Sequence, residues 1–185
     1  LLTVTNLSIG YGARTLLTEA NFRLLKGEHV GLVGPNGEGK STFLNIITGH
    51  ISPDAGRIEW HKHARVGYLD QHVSLQKGMS IRKVCRESFD YLYALEQKMY
   101  ALYEESAACD PDLAGDLIED AGEIGEQLEQ SGFYIIDAKI DQVASGLGLM
   151  DIGMDTDVSK LSGGQRSKVL LAKLLLQNPS ILVLD

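Results

Sequence analysis

Only two cysteines, Cys85 and Cys109, occur in 185 residues, and they lack the C-x-x-C spacing of a metal or redox site. That excludes a disulfide framework and makes a reduced, cytoplasmic compartment the expectation. No apolar run approaches the roughly 20 residues needed to cross a bilayer, and no basic-then-apolar leader opens the chain. No membrane insertion is therefore expected. One stretch has no basic residue at all: between Glu104 and Glu129 stand ten acidic side chains and neither Lys nor Arg. They account for the net charge of −8, because the rest of the chain carries 15 acidic against 17 basic residues. The acidity is local and needs a local explanation. The chain as a whole, 44% hydrophobic and 23% charged, has the composition of an ordinary globular domain, or of one domain with an insertion.

Against that background one stretch stands out, Gly34-Pro35-Asn36-Gly37-Glu38-Gly39-Lys40-Ser41-Thr42. It follows the apolar run Val30–Val33, read as a buried strand, and precedes a helix in which Phe43, Ile46 and Ile47 share a face. Glycines let backbone N–H groups curl inward without Cβ clashes, and a helix N-terminus adds partial positive charge. This composition suits phosphate. Lys40 reaches the terminal phosphates as a point charge, and the Ser41 hydroxyl ligates Mg²⁺. Every fixed position of G-x-x-x-x-G-K-[ST] is met, so a nucleoside triphosphate with Mg²⁺ is the expected ligand.

In chain order, Leu2–Ile9 and Leu16–Leu25 read as antiparallel strands, and Arg57–Trp60 and Val66–Leu69 as short ones. From Ile81 the period changes. Ile81, Cys85, Ser88, Leu92, Leu95, Met99 and Leu102 make a narrow heptad seam. Asp110-Pro111 then offers an N-cap and a first-turn proline, followed by the stripe Leu113, Leu117, Ala121, Ile124 and Leu128. Two long helices joined over Ser106–Asp110 make a hairpin, and about 24 residues at about 1.5 Å each give an arm of about 36 Å. Beyond Gly132, Ile136 to Leu147 mark a shorter helix. Leu161-Ser162-Gly163-Gly164-Gln165 opens another, stopped by Asn178-Pro179. Ile181–Leu184 is an apolar strand that delivers the carboxylate of Asp185.

Four elements in this order resemble an ABC-type ATPase: a Walker A loop at Gly34–Thr42, a Q-loop at Gln71, an LSGGQ signature at Leu161–Gln165, and a Walker B strand at Ile181–Asp185. The resemblance implies an α/β P-loop NTPase fold with an antiparallel β subdomain and a helical subdomain carrying an inserted arm. The ATP-binding core would be 1–75 plus 178–185, and the helical subdomain 80–177 with its arm over about 81–131. Lys40, Gln71 and Asp185 would be catalytic. Ser41, Gln71 and Asp185 would hold Mg²⁺, and Tyr11 would stack on adenine. Gly34, Asn36, Gly37, Gly39, Lys40, Ser41 and Thr42 would cradle ATP. Ser162, Gly163, Gly164 and Gln165 would close over the ATP of a second ABC domain on the same polypeptide, in a head-to-tail pair.

Ninety positions separate Gln71 from Leu161, more than in transporter members of the family. That surplus, with Val66–Gln71 and Gly78–Ile81, looks like the ABC-F group. Such proteins bind the ribosome near the tRNA exit site, touching ribosomal protein, rRNA and tRNA, as translation factors or in antibiotic resistance. The alternative is the ATP-hydrolysing subunit of a membrane transporter. Two departures accompany the resemblance. Glu38 occupies a position more often small and is expected to point outward, away from phosphate. The family's general base, a Glu directly after the Walker B Asp, is not in this sequence, so a fragment inactive on its own is the expectation. The acidic arm is ill-suited to rRNA, whose phosphates call for basic surfaces. It reads as a solvated face or as a surface for a basic ribosomal protein. His61 and His63 read as exposed turn residues, and the arm tyrosines as padding of the hairpin.

Overall fold

The computed structural model describes residues 1–12, 14–69 and 75–185. Its chain forms two compact units, one over Leu1–Gln71 and Pro179–Asp185, the other over His72–Asn178. The first unit opens with β1 (Leu2–Tyr11) and β2 (Arg14–Leu24), followed by α1 (Lys40–Ile47), β3 (Ala55–Trp60) and β4 (Val66–Leu69); β5 (Ile181–Leu184) returns to it from the chain's end. β1 is the centre of an antiparallel sheet in the order β2-β1-β3, while β4 and β5 pair in parallel.

β1 solves a parity problem. Leu2 and Val4 are buried, but so are Leu7 and Ile9, which a regular period of two would turn outward. A bulge between Val4 and Leu7 absorbs the extra residue, with Asn6 at a φ of 51°. Asn tolerates that left-handed conformation, and its backbone N–H donates to Asn21 Oδ1 at 3.0 Å. The facing residue of β3 must be glycine: a Cβ on Gly56 would lie 2.6 Å from the Asn6 carbonyl oxygen. The buried side of this sheet packs on Phe43, Ile46 and Ile47 of α1, the face foreseen from the sequence. Phe22 meets Phe43 edge to face at 5.7 Å, and Trp60 Nε1 donates to the Ile47 carbonyl at 2.8 Å, closing the helix C-terminus.

The run Val30–Val33 departs from expectation. It is not a strand, and Val30, Leu32 and Val33 are 52%, 40% and 97% exposed. A buried parallel strand needs neighbours to receive its backbone N–H and C=O groups. Among the described residues β4 pairs with β5 alone, and no strand pairs with 30–33.

The second unit contains α2 (Ile81–Arg86), α3 (Asp90–Ser106), α4 (Pro111–Gln130), α5 (Ile136–Gly146) and α6 (Gly163–Leu176). The heptad seam is inside, with Ile81, Cys85, Ser88, Leu92 and Met99 all buried, but it does not run along one helix. A 3₁₀ turn over Glu87–Phe89 breaks it. The break is held from outside: Ser88 Oγ donates to the Lys173 carbonyl at 2.9 Å, and Lys173 Nζ meets Glu87 Oε2 at 2.5 Å. The arm is accordingly shorter than the sequence predicts. α3 has 17 residues, about 25 Å of helix. In α4 the stripe holds at Ala121, Ile124 and Leu128, whereas Leu113 near the tip is 61% exposed. Arg86 grips Asp137 as a fork, Nε donating to Oδ1 at 3.0 Å and Nη2 to Oδ2 at 2.7 Å, and Arg82 pairs with Asp141 at 2.7 Å, tying α2 to α5.

Candidate functional site

The phosphate loop is built from the turn upward. Gly37 and Gly39 sit at φ of 81° and 91°, conformations that side chains with a Cβ rarely adopt, and Gly39 is the N-cap residue of α1. A Cβ on Gly39 would stand 3.5 Å from Leu16 Cβ, so β2 closes beneath the loop. Arg14, at the start of β2, donates from Nη2 to the Gly37 carbonyl at 3.1 Å. Lys40 folds over the same loop, its Nζ donating to the carbonyls of Gly34 and Pro35 at 2.8 and 2.7 Å. A cation stands at the loop mouth, and N–H groups of the first helical turn face the same way.

Glu38 does not point outward as expected. Its Oε2 lies 3.2 Å from where a Cβ on Gly34 would be, so the carboxylate folds back over the loop.

Asp185 and Ser41, 144 positions apart, converge: Ser41 Oγ donates to Asp185 Oδ1 at 2.8 Å. β5 brings the carboxylate there by pairing in parallel with β4, Leu69 opposite Leu184. One hydroxyl and one carboxylate are hard oxygen donors of the kind Mg²⁺ takes while keeping several waters. The donor set and the glycine-lined cradle fit Mg²⁺ and a triphosphate. Asn36 lies exposed in the turn, and Thr42 is half-buried in the first turn of α1. Gln71, the remaining expected metal ligand, lies outside the described residues.

Tyr11 ends β1 with its ring 55% exposed. Its strand partner is Arg14, whose guanidinium touches Gly37, so the hairpin end that carries Tyr11 stands beside the phosphate loop. Arg14 itself was not foreseen. Its signal, a basic residue two positions after Gly12, is too common to single out.

In the second unit Ser162 is the N-cap of α6. Its Oγ accepts from Gln165 N–H at 3.3 Å, while Gln165 Oε1 accepts from Ser162 N–H at 2.9 Å, a reciprocal capping box. Leu161 is buried below, and Gly163 and Gly164 are exposed with open space where a Cβ would go. The signature is therefore a rigid helix start whose first N–H groups are open to an anion. Nearby, the Asp157 carboxylate lies below its usual range because it accepts from Ser159 and Gly78 N–H.

The rings of His61 and His63 lie tilted to one another, centroids 5.9 Å apart. Among the described residues no group of three or more His, Cys, Asp or Glu is placed to hold a metal ion. Among the described residues, too, no helix is long and apolar enough to cross a membrane.

Residues 17–185 match the family described as ABC transporter. The chain is 56% identical over its whole length to the ABC transporter ATP-binding protein YfmM of Bacillus subtilis strain 168, of which it spans 36%. It is 34% identical over 97% of its length to ABC transporter F family member 2 of Arabidopsis thaliana, spanning 27% of that protein. The energy-dependent translational throttle protein EttA of Mycobacterium tuberculosis is 31% identical over 95% of the chain, which spans 30% of it. A bacterial Atm1-family ABC exporter solved with ATP bound superposes on the whole chain with a TM-score of 0.65 at 24% identity, 28% of the exporter being covered. The chain thus spans about a third of the length of these relatives.

Proposed function

This chain belongs to the ABC transporter family of ATP-binding domains, whose members generally hydrolyse ATP, and from that premise we propose that it binds MgATP as half of a paired ATPase of the ABC-F kind that acts on the ribosome. The observation that carries the nucleotide reading is the convergence of Ser41 and Asp185 at 2.8 Å beside a glycine cradle. In this proposal Lys40 exchanges the Gly34 and Pro35 carbonyls for β- and γ-phosphate oxygens, and Gly37 and Gly39 keep the loop N–H groups turned inward. Tyr11 offers its exposed ring to adenine. Ser41 and Asp185 hold the cation, with Gln71 as a further ligand. Mg²⁺ held by these residues would supply charge neutralisation for the phosphates. Ser162, Gly163, Gly164 and Gln165 close over the ATP of the second domain, because a helix N-terminus with two glycines admits a phosphate to its backbone.

The ribosomal assignment draws on the α3–α4 hairpin between Gln71 and the signature, and on relatives named as an F family member and a translational throttle. Housekeeping translation and antibiotic protection are both open to an ABC-F protein. The full-length protein, held in a non-hydrolysable ATP analogue, is expected to sediment with ribosomes and to lose that association on Lys40→Ala. Sedimentation unaffected by nucleotide, or co-purification with a membrane permease instead, would overturn the ribosomal reading in favour of a transporter subunit.

A further inference from the structure

We propose that Tyr68 is a positioning residue for the Asp185 carboxylate, fixing it in the orientation in which it shares a divalent cation with Ser41. The proposal rests on the MgATP reading above and adds a part to it.

The backbone sets the juxtaposition. Tyr68 on β4 stands opposite Val183 on β5, and partners in a parallel pair project to the same side of the sheet. Asp185 lies two residues beyond Val183 and therefore on that side as well. α1 meets this face with Ser41 and Asn45, one turn apart and so on one flank of the helix. Four polar side chains result from two strands and one helix. Ser41 Oγ donates to Asp185 Oδ1 at 2.8 Å. Tyr68 Oη approaches the other carboxylate oxygen, Oδ2, at 3.5 Å and stands 3.2 Å from Asn45 Oδ1.

A phenol carries one proton, which serves one acceptor fully. With the Asn45 amide turned so that its NH₂ faces the phenol, the donors run in sequence, Asn45 to Tyr68 to Asp185; amide oxygen and nitrogen are interchangeable in such a placement. The proton then goes where the negative charge is, and a hydrogen bond to a charged acceptor is the stronger choice. The ring itself is held. His50 lies against it with centroids 5.3 Å apart, and His50 Nδ1 is within 2.9 Å of Thr48 Oγ1. A carboxylate fixed at both oxygens loses less freedom when a cation arrives, and a neutral hydroxyl does this without cancelling the charge the cation needs.

The test uses the full-length protein and reads metal dependence rather than turnover alone. Binding of a fluorescent ATP analogue is titrated with Mg²⁺ in wild type, Y68F, N45A and D185N, and Mn²⁺ bound with ATP is examined by electron paramagnetic resonance. Y68F retains the ring and removes only the donor. The half-saturating Mg²⁺ concentration is expected to rise about three- to tenfold, the range of one ordinary hydrogen bond, with nucleotide affinity in EDTA unchanged. The Mn²⁺ spectrum is expected to broaden. N45A, which leaves the phenol in place, is expected to move the metal dependence in the same direction, and it stands in for Y68F if that variant does not fold. Mg²⁺ titrations of Y68F and N45A that superpose on wild type while D185N shifts would overturn the role of Tyr68. If D185N and wild type also superpose, the MgATP reading itself falls.

Discussion

The guanidinium of Arg14 donates to the carbonyl of Gly37 at 3.1 Å, joining the first hairpin to the tip of the phosphate loop. Gly37 holds a positive φ, and a glycine has more backbone conformations open to it than other residues, so a hydrogen bond to its carbonyl helps to order the loop. Arg14→Ala is expected to weaken ATP binding about threefold, the effect of one exposed hydrogen bond on loop order. Lys at the same position, a point charge without the planar fork, is expected to recover part of it. Isothermal titration with ATP and Mg²⁺ reads both. Equal affinity in the alanine variant would show that the loop is held without Arg14.

Glu38 gives an effect of opposite sign. Its carboxylate lies over the loop, so incoming phosphate meets a like charge. Glu38→Gln keeps the shape and removes the charge, and about 1 kcal/mol of repulsion at 4 Å in water corresponds to about a fivefold gain in ATP affinity. The gain is expected to shrink between 50 mM and 500 mM salt, because the site is open to solvent. Weaker binding by the glutamine variant would place the carboxylate among the groups that assist the nucleotide.

Ser88 is the polar member of the heptad seam, and its partner explains it. Lys173 belongs to the last turn of α6, whose carbonyls have no donor within the helix, and the Ser88 hydroxyl supplies one at 2.9 Å. Ser88→Ala leaves that carbonyl unmet in a buried place and is expected to destabilise the protein by about 1 to 2 kcal/mol in urea denaturation. The neighbouring Glu87–Lys173 pair is about a third exposed, and a double-mutant cycle is expected to give less than about 1 kcal/mol. A larger coupling than the Ser88→Ala loss would reverse this ranking.

The two cysteines should separate by pH. Burial pushes the Cys85 thiol up to about 11, whereas Cys109 at the arm tip is half-buried. Thiolate is the reactive form, so iodoacetamide at pH 8 is expected to label Cys109 and spare Cys85 until the protein unfolds. Because the folded value of Cys85 exceeds the unfolded one of about 8.5, its contribution to stability is complete below that pH. It is lost as pH rises toward 11. Mass mapping of the alkylated sites, with denaturation midpoints between pH 7 and 10.5, checks both statements.

Much of the site was legible because its chemistry is local in sequence. The loop glycines, Lys40 and Ser41 sit within one turn and the helix that follows it, and Ser162 with Gln165 forms a capping box visible as S-x-x-Q. The carboxylate of Asp185 was placed by an apolar strand whose period needed no tertiary knowledge. Arg14, Asn45 and Tyr68 were not found. Each acts across a fold contact, and their residue types are common in such positions. Tyr68 left a faint trace: it shares strand parity with Asp185 once β4 and β5 are known to pair in parallel, but pairing is what a sequence withholds. The straight seam from Ile81 to Leu102 misled for a related reason. Apolar spacing records which side is buried, and a 3₁₀ turn fastened by Ser88 and Glu87 keeps the side while breaking the helix. Val30–Val33 shows the reverse limit, since apolar character does not by itself supply strand neighbours.

Ser162 uses a lone pair to accept from Gln165 and so starts α6, yet its own hydroxyl proton is not consumed by that bond. One side chain can therefore begin a helix and still greet an anion, and the two tasks come apart under substitution. Aspartate caps a helix as well as serine does but repels phosphate, whereas alanine fails at both. A Ser162→Asp protein that melts like wild type and no longer joins its second domain around ATP would show that the helix start is also a reader of its neighbour's charge.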